Sequence, residues 1–176
     1  MQFGRLRCLL LVCAISASAE QGSPSWTVVR TDHFEVYSQA SEQSAQRAVL
    51  WFEQLRTFFR EQNQLNAESD NPVRVIGFSS ARDYQPYRIR STADAYYVGT
   101  GSRDYIVMAS LDPGNFTIAA HEYAHLVLHA GGSRLPAWFS EGLAEFYSSV
   151  RMDERGTSVG ADLPARSQLL RRHSWM

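Results

Sequence analysis

Short apolar runs alternate with polar breaks along this chain of 176 residues, and their spacing predicts one element after another. Trp26 to Arg30 and His33 to Tyr37 are two β-rich runs around Thr31-Asp32, the pattern of a hairpin or of one bent strand. From Ser41 the period changes. Ala45, Ala48, Val49, Phe52, Leu55 and Phe59 recur at three and four residues, which predicts a long helix capped by Ser41, with one apolar face for a sheet. The polar stretch "NQLNAESDNP" ends that pattern, and Pro72 blocks its continuation. "VRVIGF" (73–78) is the next strand, and Ser80 caps a short helix through Tyr84.

"AYYV" (95–98) and "DYIVMAS" (104–110) flank Gly99-Thr100-Gly101-Ser102-Arg103 and predict a hairpin. After a turn at Asp112-Pro113-Gly114, a helix is expected from about Phe116 to Ala130, closed by Gly131-Gly132. Pro136 opens a further helix to about Ser149, since proline suits a first helical turn. A mixed sheet carrying one long helix, followed by two consecutive helices, is an α+β domain.

The N-terminus belongs to a different class of segment. "MQFGRLRCLLLVCAISASAEQ" joins a basic start (Arg5, Arg7) to a short apolar run and an Ala17-Ser18-Ala19 site, the build of a secretory signal peptide over residues 1–19. The run is too short to span a bilayer comfortably. A secreted or periplasmic protein with no stable membrane span after cleavage is expected. Both cysteines, Cys8 and Cys13, lie in this leader, so residues 20–176 have no disulfide framework and no cysteine metal site. Losing Arg5 and Arg7 takes the formal net charge from −1 to −3, a mild balance that argues against nucleic acid as a partner. Residues 20–176 suffice for one domain, and no repeat or second apolar span divides them.

Three of the five histidines fall in "AAHEYAHLVLH" (119–129). His121 and His125 are four apart on the predicted helix; four residues rise roughly 6 Å and turn about 40°, so both imidazoles project from one side toward one ion. Glu122 is turned about 100° from His121, where a carboxylate faces a metal-bound water rather than the metal. This is the H-E-x-x-H arrangement of zinc hydrolases. His129 lies roughly 12 Å along the axis from His121, too far for three side chains of one helix to converge on an ion. It reads as a supporting or packed residue. The longer histidine motif of the metzincins fails, because its glycine and third histidine would fall on Leu128 and Gly131.

A third ligand must then come from another element. "PAWFSEGLAEF" (136–146) holds Glu141 and Glu145 four apart, on one face with Trp138, while Phe139, Leu143 and Phe146 form an apolar face. Carboxylates on a hydrophobic helix are costly unless solvated or paired.

"HEYAH" followed by "WFSEGLAEF" resembles the gluzincin superfamily, the thermolysin-like and aminopeptidase-like zinc peptidases. The resemblance is specific over residues 117–148, and the "HFEVYS" strand is similar to the opening of a group of bacterial secreted peptidases. It implies Zn²⁺ held by His121, His125 and Glu141, with Glu145 hydrogen-bonding a zinc histidine and Glu122 as general base in peptide-bond hydrolysis. The connection from His125 to Glu141 is shorter than in the best-known members, and by count Glu145 lies nearer their ligand position. The local "SEGLAE" pattern outweighs the count, because loops vary in length more freely than helix faces do.

The family's oxyanion donor is a Tyr or His from outside the two motifs; Tyr96, Tyr97, Tyr105 and Tyr147 are candidates with no basis for choice. Family members also pair substrate with an edge strand, for which Asp104 to Met108 is the candidate, the alternative being an ordinary sheet strand. Relatives continue into a helical subdomain, so a chain truncated near Met176 is expected from the resemblance. The expected partner is a peptide or protein substrate, with endopeptidase action favoured and the oligomeric state undefined. The competing function is a secreted metal-binding or scaffold module without turnover. Against it stands Glu122, since a structural zinc site closes with four protein ligands and has no use for a neighbouring base. His33 and His173 read as surface or turn residues.

Overall fold

The computed structural model describes residues 25–63, 71–132 and 135–161. The expected signal peptide, both cysteines, His173 and the C-terminal pattern from "PARSQ" onward lie outside the described residues.

The architecture is α+β. A five-stranded sheet runs in the order β1-β2-β3-β5-β4, built from β1 (Thr27–Arg30), β2 (Phe34–Ser38), β3 (Val73–Gly77), β4 (Ala95–Gly99) and β5 (Asp104–Met108). β2, β3 and β5 are parallel, while β1 and β4 close the two edges antiparallel. Between β2 and β3 the chain crosses over through α1 (Glu42–Asn63). The Ser41 hydroxyl accepts from the Ser44 amide at 3.1 Å, the cap that the sequence pattern called for. All six residues of the predicted apolar stripe, Ala45 to Phe59, are no more than 3 % exposed. α2 (Ala81–Tyr84) is capped by Ser80.

The histidine-bearing helix α3 (Phe116–Ala130) packs beneath the β4 side of the sheet, and α4 (Ala137–Ser148) packs on α3. Tyr123 on α3 is driven into the core beside Phe34, Phe52 and Phe59, with ring centroids 6.0, 6.3 and 5.5 Å away. Burying such rings is the main term that fixes α3 against sheet and α1. A small exposed hairpin, β6 (Arg151–Asp153) with β7 (Gly156–Ser158), follows α4 and was not foreseen. Among the described residues, no helix is long and apolar enough to cross a membrane.

Two sequence expectations are corrected. Asp104–Met108 is not an edge strand: β5 is paired on both sides, to β3 and to β4, and the edge is β4. The apolar face expected on α4 is also misplaced. Phe139 and Phe146 are 40 % and 47 % exposed, whereas Ala144 and Ser148 are buried. Small residues let α4 approach α3 closely, and the aromatics turn outward.

Candidate metal centre

α3 carries His121, Glu122, His125 and His129 along the side left over once Ala119, Ala120, Tyr123, Ala124, Leu126 and Val127 are buried. Docking of α4 brings Ser140, Glu141 and Glu145 against that side. The His121 and His125 Nε2 atoms are 3.2 Å apart; His121 Nε2 is 3.5 Å from Glu141 Oε2 and His125 Nε2 is 3.5 Å from Glu141 Oε1. One ligand atom from each of the three lies within 4.8 Å of the others. Ligands bound to zinc at about 2.0–2.1 Å in tetrahedral array stand roughly 3.3–3.4 Å apart; the two imidazole nitrogens have about that spacing, and the Glu141 carboxylate spans both of them, one oxygen toward each. Two imidazole nitrogens with a carboxylate oxygen are also the chemistry that zinc takes.

The opposite nitrogens of the two rings face α4. Glu145 Oε2 is 3.7 Å from His121 Nδ1, an ion-pair distance rather than a hydrogen bond. The Ser140 hydroxyl is 3.4 Å from His125 Nδ1. Glu141 is 65 % exposed, so the cost argued for a buried carboxylate on α4 does not apply to it; Glu145 is half as exposed.

Glu122 faces the strand above. Its Oε2 accepts a hydrogen bond from the Tyr97 amide of β4 at 2.9 Å. Burial pushes the carboxyl up to about 7; the nearby Glu141 charge adds to the rise and the Tyr97 amide opposes it. A cleft of about 350 Å³ opens over these groups, lined by Tyr97, Glu122, His125, Leu128, His129 and Glu141 among others.

The structure thus brings His121, Glu122, His125, Glu141 and Glu145 to one place. His129 does not join the ligand group; its Nδ1 lies 3.1 Å from the Tyr97 hydroxyl. Of the four candidate tyrosines, Tyr96 and Tyr105 pack on the other face of the sheet, beside Phe78, Tyr84 and Val107. Tyr147 packs against Phe58 and Phe59. Only Tyr97 borders the cleft. His33 bonds Glu53 at 3.0 Å, a structural pairing between β2's approach and α1. Two site neighbours had no assigned role in the sequence, Ser140 and the Tyr97 amide. Ser140 stands directly before Glu141 in "SEGLAE", which was a usable signal; a main-chain donor carries none.

No protein-family model matches the chain, and no curated protein matches it. The site's own geometry carries the functional argument.

Proposed function

We propose that this protein is a secreted or periplasmic zinc peptidase of the gluzincin kind, hydrolysing peptide bonds with Glu122 as general base. The observation that carries this reading is the convergence of His121 Nε2, His125 Nε2 and Glu141 at 3.2 to 3.5 Å, with Glu122 on the wall of the same cleft. His121, His125 and Glu141 would hold the zinc ion. Zinc supplies Lewis acidity for the scissile carbonyl and lowers the pKa of a water from 15.7 to roughly 7.

The protein's own groups do the rest. The Tyr97 amide occupies Glu122 Oε2, which leaves Oε1 to take the proton of the attacking water and deliver it to the leaving amine. Burial, which favours the protonated carboxyl, helps Glu122 accept that proton before handing it on. Glu145 and Ser140 face the Nδ1 atoms of His121 and His125 and hold the rings' orientation.

An extended peptide reaches the cleft along β4. Asp94 O accepts from Ala109 N, and the Tyr97 amide points away from β5 to Glu122. By alternation, Ala95, Tyr97 and Gly99 present their main-chain groups on the outer side of this edge; Glu122 takes the Tyr97 amide, which leaves the Tyr97 carbonyl and the main-chain groups of Ala95 and Gly99 for a substrate strand. The edge-strand role expected for Asp104 to Met108 therefore passes to β4.

Hydrolysis of a mixed peptide library by the protein and by Glu122→Gln tests the proposal. The variant is expected to keep its zinc and to lose activity by about 10²–10⁴-fold. Zinc in both proteins without cleavage in either would favour the binding-module alternative.

A further inference from the structure

Tyr97 touches the site at both ends. Its amide holds Glu122 Oε2 at 2.9 Å, while its hydroxyl donates to Asp104 Oδ1 at 2.7 Å and lies 3.1 Å from His129 Nδ1. A phenol has one proton, and the short bond to a carboxylate takes it. The His129 contact must then run the other way, with Nδ1–H donating to the phenol oxygen. Tyr97 is therefore not available as a hydrogen-bond donor to reacting substrate. Burial and the Asp104 bond both push the phenol's pKa up, so it stays protonated at neutral pH.

We propose that the Tyr97 phenol is a positioning clamp, fastened to Asp104 and His129, that holds the edge strand at the distance and angle from α3 at which the Tyr97 amide secures the general base. The proposal rests on the peptidase reading for its catalytic consequence, though not for the clamp itself.

Three features support it. First, Glu122 and His129 are seven residues apart on α3, so β4 is tied to that helix at two points about 10 Å apart along its axis. An edge strand has a ladder on one side only, and a single tie would leave its outer end free to swing. Second, Asp104 is the register partner of Gly99 on β5, so the clamp also spans the mouth of the β4–β5 hairpin. Third, the space is prepared. Gly99 lies two residues beyond Tyr97 on the same strand face; a Cβ there would overlap the Tyr97 hydroxyl and stand 3.2 Å from Asp104 Oδ1. Glycine leaves the room in which the phenol lies.

Tyr97→Phe removes the hydroxyl and keeps the amide. Gly99→Ala keeps every polar group and displaces the phenol. Hydrogen exchange of the amide at position 97 in metal-free protein, zinc affinity, and kcat and KM on peptides are measured for both. The clamp predicts amide exchange faster by about 10-fold and kcat lower by about 10-fold, the scale of a small misplacement of a reacting group, with KM and zinc affinity within about twofold. Unchanged exchange overturns the proposal, as does unchanged kcat with faster exchange. A parallel fall in zinc affinity overturns it too, because that marks general damage to the site. Should the unmodified protein cleave no peptide, the peptidase reading fails and amide exchange alone decides the clamp: acceleration in both variants upholds it, and none overturns it.

Discussion

Burial and a main-chain hydrogen bond pull the Glu122 carboxyl in opposite directions, and burial wins. Its pKa is pushed up to about 7, against about 4.3 for an unperturbed glutamate. The folded chain keeps a proton that the unfolded chain releases, so between those values folding stability falls as pH rises. Below about pH 4 both states are protonated and the dependence vanishes; above about pH 7 the loss is complete. At 1.36 kcal/mol per unit the loss is on the order of 3 kcal/mol for metal-free protein. Glu122→Gln, neutral throughout, is expected to lack it. Denaturant midpoints of both proteins at pH 5 and pH 7.5 check this; parallel behaviour of the two would contradict it. Residues of this kind were partly legible in the sequence. The i, i+4 histidines and the intervening glutamate announce themselves because helix geometry fixes their directions. The amide of Tyr97 does not, because every residue but proline has one.

Elements were more legible where burial leaves a period. The α1 stripe follows from three-and-four spacing, and each of its residues is buried. Strand order is less accessible, because it depends on pairing between distant segments. A signal was nonetheless present for β5: Ile106, Val107 and Met108 are all buried, a continuous apolar run typical of an inner strand covered on both faces. The β6–β7 hairpin has mostly exposed, polar three-residue strands and no such pattern. The connection from sheet to α3 supplies an element-scale prediction. The Leu111 side chain lies where a Cβ at Gly77 would go, and Leu111 is 2 % exposed. Gly77→Ala should overpack this junction and lower stability by about 1–3 kcal/mol. Chemical denaturation measures it, and an unchanged midpoint would contradict the packing described.

For the whole molecule, the decisive feature is that both helices of the candidate site are anchored in one core. Tyr123 of α3 and Ala144 of α4 are buried in the same cluster as Phe34, Phe52 and Phe59 of the sheet and α1. Residues adjacent to those anchors are thereby held in place, Glu122 facing the cleft and Glu145 facing His121 Nδ1, while Glu141 stays accessible at the cleft's rim. That His121, His125 and Glu141 would come together was expected from the resemblance of "HEYAH" and "SEGLAE", and the structure groups them; the spacing itself was not readable, since it depends on how closely α4's small residues dock. The most direct test is a zinc titration of metal-free protein, following peptide hydrolysis against zinc bound per chain. The account predicts activity that rises in proportion to zinc and levels off at about one equivalent, the stoichiometry of a single open catalytic site. Hydrolysis by metal-free protein, or one bound zinc without hydrolysis, would contradict it.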